Sequence, residues 1–159
     1  MPHVMINHKK CTGCHMCELA CSAWHEGAYR PSVARLHVEV DPSAAHVRGH
    51  TCMQIACAKC EEVCPVGAIR RYPITVTAVG LDPVDGYVLK VDEDLCTGCG
   101  ACYDVCPQGV IHEHPERRVA FKCDLCDGTP QCVAFCQNPH VLAIDVRRSK
   151  VEKTASAPA

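Results

Sequence analysis

Sixteen cysteines stand in this chain of 159 residues, and every one belongs to a run of four. The first run is Cys11, Cys14, Cys17 and Cys21, and the second is Cys52, Cys57, Cys60 and Cys64. The third is Cys96, Cys99, Cys102 and Cys106, and the fourth is Cys123, Cys126, Cys132 and Cys136. The first and third runs are spaced C-x2-C-x2-C-x3-C, the second C-x4-C-x2-C-x3-C and the fourth C-x2-C-x5-C-x3-C. Three thiolates two residues apart on a tight loop wrap one face of an iron–sulfur cubane. The fourth, three residues on, points away toward a second cluster. Each pair of runs therefore builds two clusters, and sixteen cysteines predict four [4Fe–4S] clusters with these residues as the iron ligands. Structural zinc sites prefer two C-x2-C pairs set well apart, which suits this crowding less well.

The bacterial ferredoxin run ends in Cys-Pro. The third run matches it in full with Cys106-Pro107, and the second ends in Cys64-Pro65. The first is followed by Ser22 and the fourth by Gln137. The second and third runs also repeat at an offset of 42, which lays Val63-Cys64-Pro65-Val66-Gly67 on Val105-Cys106-Pro107-Gln108-Gly109. Cys-Thr-Gly-Cys occurs twice, at 11–14 and 96–99, where Gly13 and Gly98 let the backbone approach a cluster closely.

Composition agrees with this reading. Aromatic residues make up 4% of the chain, and much of its 48% hydrophobic content is cysteine and alanine. A domain of this length buries roughly 70% of its unfolded surface, so clusters must supply part of the core. A formal charge of −2 gives no basic field for nucleic acid. No stretch of 18 apolar residues is present, so no membrane span is expected. The first ten residues carry neither an apolar run nor a twin arginine, and the expected location is the cytoplasm. Disulfides are rare there, which leaves the thiols for metal.

The elements that position the thiols are short. Alternating patterns predict strands at 33–40, 74–79, 87–91, 119–122 and 141–146. Helical turns are expected at 18–25, 61–64, 103–106 and 133–136, each too short to stand alone. Asp41-Pro42-Ser43, residues 81–86 and residues 127–130 read as turns or loops. The predicted class is α+β, with two ferredoxin-like units, each carrying two clusters, intertwined in one chain. Residues 1–50 with 107–146 would form the outer unit, 51–106 the inner one, and 147–159 a tail that contacts a partner.

With these motifs in place, the chain resembles the four-cluster ferredoxin-like subunit of molybdenum and tungsten oxidoreductases of the dimethyl sulfoxide reductase type, over roughly residues 1–146. The stretch from Cys14-His15-Met16-Cys17 through His25-Glu26-Gly27, with Cys123-Asp124-Leu125-Cys126-Asp127-Gly128-Thr129-Pro130-Gln131-Cys132, is most similar to the ferredoxin subunits of tungsten aldehyde oxidoreductases. Ferredoxin subunits of carbon monoxide dehydrogenases and hydrogenases share much of both motifs. The resemblance implies nested pairing of the runs. One cluster would take Cys11, Cys14, Cys17 and Cys136, and its neighbour Cys21, Cys123, Cys126 and Cys132. A third would take Cys52, Cys57, Cys60 and Cys106, and the fourth Cys64, Cys96, Cys99 and Cys102. The two inner runs being the two with Cys-Pro gives this modest independent support; sequential pairing is the alternative. The family more often places its long gap after the second cysteine of the second run. Here the gap separates Cys52 from Cys57.

The implied function is electron relay without catalysis, since sixteen cysteines leave no open iron. Electrons would pass between a tungstopterin or molybdopterin catalytic subunit, oxidising an aldehyde, and a flavin (FAD) subunit or soluble ferredoxin. A free-standing polyferredoxin is the alternative function, and association with further copies of the chain would extend the wire. Around the runs, His15 and His25 flank the first cluster, although most of the ten histidines read as surface residues. Trp24 and Tyr103 read as cover for a cluster, and Met16 as packing. Arg70-Arg71, Arg117-Arg118 and Arg147-Arg148 read as solvated strand ends.

Overall fold

Each cysteine loop runs into a short helix, and the spaces between loops are bridged by two-stranded hairpins. The computed structural model describes residues 2–138 and the backbone of the strand Leu142–Asp145. Four α-helices occur among these residues: α1 (Met16–Glu26), α2 (Lys59–Val63), α3 (Ala101–Asp104) and α4 (Gln131–Ala134). Each begins two residues earlier than the sequence pattern suggested, because the helix starts inside the cysteine run. Only α1 exceeds two turns, and its C-cap Gly27 donates its N–H to the Ala23 carbonyl at 3.0 Å.

The eight strands among the described residues pair two by two, all antiparallel. Near the termini, β1 (His3–Ile6) pairs with β8 (Leu142–Asp145), with His3 opposite Asp145. β2 (His37–Asp41) pairs with β3 (His46–His50) around the expected turn at Asp41, whose carboxylate accepts the Ser43 N–H at 2.9 Å. The longest hairpin is β4 (Ile69–Ala78) with β5 (Leu81–Val91). β6 (His112–Glu113) and β7 (Ala120–Phe121) form a minimal pair.

Three expectations need correction. Residues 81–86 are strand rather than loop, because the β4 pattern carries them in register, with Thr75 opposite Asp85 and Val76 opposite Val84. The predicted strand at 33–40 begins only at His37, since Pro31–Val33 is a 3-10 turn. β1, β3 and β6 were not anticipated, being four, five and two residues long. The tail 147–159, with Arg147-Arg148, lies outside the described residues.

The apolar side chains gather in two places, and cysteines are part of both. One group joins Val4, Ala34, Leu36, Val38, Val76, Val88 and Leu125 to Cys17, Cys21 and Cys132. The other joins Ala58, Ile69, Leu89, Ile111 and Ala120 to Cys60 and Cys102. The β4–β5 hairpin enters both, through Val76 and Val88 on one side and Ile69 and Leu89 on the other. None of the described helices is long and apolar enough to cross a membrane.

Candidate functional site

The cysteine loops repeat one backbone device. The residue after the second cysteine of the first three runs is left-handed: His15 at φ 58°, Ala58 at 51° and Gly100 at 82°. A left-handed residue turns the chain sharply so that the next cysteine faces the same way as the previous two. For His15 and Ala58 this costs on the order of 1–2 kcal/mol, held by the helix that follows. At Gly98 (φ 66°) a Cβ would meet the Arg118 carbonyl oxygen at 2.3 Å, so only glycine fits the second Cys-Thr-Gly-Cys loop as it stands. After the two Cys-Pro dipeptides the chain turns identically. Gly67 donates to the Cys64 carbonyl at 3.2 Å, and Gly109 to the Cys106 carbonyl at 3.1 Å.

These loops surround four cavities. Cys11, Cys14, Cys17 and Cys136 line the first, together with His15 and Met16. Cys21, Cys123, Cys126 and Cys132 line the second, with His25 and Arg35, and Cys52 reaches its wall. Cys52, Cys57, Cys60 and Cys106 line the third, with Gln54. Cys64, Cys96, Cys99 and Cys102 line the fourth. The last three are small and similar in size, and the first is larger. All sixteen thiols are free of disulfides. Each cavity is lined by three cysteines of one run and one of another, first with fourth and second with third, and Cys52 is shared between the second and third cavities.

The donor chemistry suits a cationic metal–sulfur core. Burial pushes the thiols of Cys17, Cys21, Cys102, Cys123 and Cys126 up to about 12, and Cys60 to about 11. Burial raises Cys132 well above its ordinary value too. Without a cation these sulfurs keep their protons at neutral pH, and thiolate ligation means releasing them. Backbone N–H groups already aim at sulfur: Arg35 at Cys21 and Ala68 at Cys64 at 3.2 Å, and Ala120 at Cys96 at 3.3 Å. Burial works against the Cys64 thiolate too, but the N–H groups of Ala68, Val66, Ile69 and Gly67 bring that thiol below its usual value.

The cages adjoin in sequence. Helix α1 carries Cys17 in the first and Cys21 in the second. Cys52 stands close enough to Cys123 to raise it, linking second and third, and Cys60 does the same to Cys102, linking third and fourth. Cys14 in the first and Cys99 in the fourth are the two exposed cysteines.

Side chains that the cysteine pattern does not reveal complete the second cage. Asp124 accepts from Arg35 Nη1 at 2.7 Å and lies 3.3 Å from His25 Nε2, which is 3.7 Å from Cys126 Sγ. His25 thus belongs to the second cage rather than the first, because α1 carries it away from Cys17 at 1.5 Å per residue. His15 stays at the first and bonds the buried Glu18 at 2.6 Å. Trp24 is 51% exposed and covers no cage. Tyr103 packs against the second apolar group. The basic pairs are engaged within the chain: Arg71 with Glu61, Arg117 with Glu26 and Glu93, and Arg118 with Glu113.

Comparison with known proteins follows the same lines. Residues 8–24 and 89–112 each match a 4Fe–4S binding domain family. Over 134 residues the chain is 35% identical to the polyferredoxin-like subunit of aliphatic sulfonate oxidoreductase from Pyrococcus furiosus, covering 84% of this chain and 70% of that one. It is 33% identical over 139 residues to the beta subunit of NADH-dependent phenylglyoxylate dehydrogenase from Aromatoleum evansii, covering 86% of this chain but 28% of that longer one. Among solved structures, the active site complex BamBC of benzoyl coenzyme A reductase contains a chain of similar fold. Its TM-score is 0.51 at 24% identity, over 91% of this chain and 79% of that one.

Proposed function

The chain belongs to the polyferredoxin-like 4Fe–4S subunits of oxidoreductases, and from that premise we propose that it is a four-cluster wire serving a pterin-metal enzyme. Family membership makes it an electron-transfer subunit and not an enzyme by itself. The observation that carries the finer reading is that all sixteen cysteines line four cavities, with Cys52 at the wall between the second and third. When bound, each cluster supplies a one-electron couple with little rearrangement.

The chain's own residues do the rest. Cys11, Cys14, Cys17 and Cys136 would hold the first cluster, and Cys21, Cys123, Cys126 and Cys132 the second. Cys52, Cys57, Cys60 and Cys106 would hold the third, and Cys64, Cys96, Cys99 and Cys102 the fourth. Shared elements keep neighbours adjacent and buried apolar groups exclude water between them. The exposed Cys14 and Cys99 put the first and fourth cages at the surface, where partners dock. A tungstopterin or molybdopterin subunit that oxidises an aldehyde would meet one end. A flavin (FAD) subunit or soluble ferredoxin would meet the other, in the cytoplasm. The two apolar groups correspond, in this reading, to two ferredoxin-like units.

The test is purification of the native protein under mild, anaerobic conditions with metal and flavin analysis. A stable complex containing tungsten or molybdenum, pterin and FAD is expected. A monomer that exchanges electrons with several unrelated enzymes would instead identify a free-standing polyferredoxin.

A further inference from the structure

Lys122 follows β7 and is 2% exposed, among the largest fully buried side chains of the protein. A buried ammonium is costly unless it is hydrogen-bonded and its charge is met. The bonds are present. Nζ donates to the Leu89 carbonyl at 2.6 Å, the Cys123 carbonyl at 2.9 Å and Gln54 Oε1 at 3.2 Å. Three acceptors account for three protons, whereas a neutral amine would leave a lone pair against a carbonyl. Three donated bonds suit an ammonium, yet none of its acceptors bears a formal charge. The countercharge must come from elsewhere.

Two cages flank it. Cys123, the next residue and a carbonyl partner, belongs to the second cage, and Lys122 draws its thiol down against burial. Cys60 belongs to the third cage and feels the same cation. Gln54 fixes the junction. It is 1% exposed and sits between Cys52 and Cys57 in sequence, with φ at 52°. Its Nε2 donates to the Cys123 carbonyl at 2.9 Å, and its Oε1 also accepts the Leu89 N–H at 3.2 Å. Its own N–H points at Cys52 Sγ at 3.4 Å. One buried polar knot thus spans the loop of the second run and the loop of the fourth.

We infer that Lys122 is the shared internal countercharge of the second and third clusters, set between them by Gln54, and that it holds both at a higher potential than they would otherwise have. This rests on the four-cluster reading. Metal–thiolate cages carry net negative charge that grows by one when an electron arrives, and a fixed cation in a low-dielectric interior favours that reduced state. The effect is electrostatic, and no bond to Lys122 forms or breaks when an electron arrives. The middle of the wire becomes an easier place for an electron to rest than it would be without the charge.

The experiment is a redox titration of the holoprotein followed by electron paramagnetic resonance, with iron content measured alongside. Lys122→Met removes the charge at similar volume, and Lys122→Gln removes it while keeping a donor. In both, two of the four potentials should fall by at least a tenfold change in the reduction equilibrium, about 59 mV for a one-electron couple. The other two should stay in place. Wild-type potentials in Lys122→Gln would overturn the inference, because hydrogen bonding alone would then suffice. A uniform shift of all four potentials would overturn it as well. So would loss of iron from both variants, which would make Lys122 a scaffold residue. Wild-type protein without four clusters would instead defeat the underlying reading.

Discussion

The end cages and the middle cages gather cysteines in two different settings. The first and fourth each have an exposed cysteine, Cys14 or Cys99, and the same Cys-Thr-Gly-Cys loop. The second and third have only buried or half-buried cysteines and meet the side chains of Arg35, Asp124, Gln54 and Lys122. Thiolate chemistry alone does not distinguish them; solvent and buried charge do. Under the four-cluster reading, the contrast separates contact from conduction: an exposed cysteine would let each end meet a partner, while buried polar and charged side chains would support the middle.

Removing the metal attacks both settings at once and gives the largest effect. Ligation in small metal domains supplies on the order of 10 kcal/mol per site, against a usual net stability of about 5–15 kcal/mol for a whole domain. Chelation of iron should therefore unfold the chain, read as loss of circular dichroism and of amide exchange protection. A compact metal-free form would break the account in which clusters serve as core.

Single-ligand variants sharpen the contrast between ends and middle. Cys132→Ser places a hydroxyl in a buried cage wall and should cost more than about 3 kcal/mol together with one cluster. Cys99→Ser changes an exposed ligand and should cost about 1 kcal/mol, with the fold kept. Iron content and thermal unfolding of the two proteins check this, and equal losses would erase the distinction.

A smaller effect tests the frame around the cages. Glu26 is bound by Arg117 at 2.8 and 3.0 Å and by the fully buried His114 at 3.2 Å. The Arg117 hydrogen bonds outweigh burial and lower its carboxyl to about 2. A depressed carboxyl contributes stability above its unfolded value near 4.5, and that contribution drains away as pH falls toward 2. Glu26→Gln should lower the thermal midpoint at pH 7 by a few degrees, and the gap from wild type should narrow below about pH 4.5. A gap that stays constant down to pH 3 would remove the charge from the explanation.

The cages were more legible in the sequence than the frame that holds them. Cysteine spacing carries its own geometry, since three closely spaced thiols on a turn must face one way, and Gly13, Gly98, Gly67 and Gly109 mark where the backbone bends. The hairpins were harder to read because two- to five-residue strands have too little alternation to register. At β5, Asp82, Pro83 and Asp85 look like a loop until β4 supplies the partner. Lys122 and Gln54 gave no local signal, since each matters only through carbonyls or sulfurs far away in the chain. His25 was placed at the wrong cage for the same reason: its proximity to Cys126 spans 101 positions.

The central claim is that all sixteen cysteines ligate iron in four cages, and chemical analysis of anaerobically purified protein tests it most directly. About 16 irons and 16 acid-labile sulfides per chain are expected. Eight or fewer irons, or zinc in their place, would contradict the account.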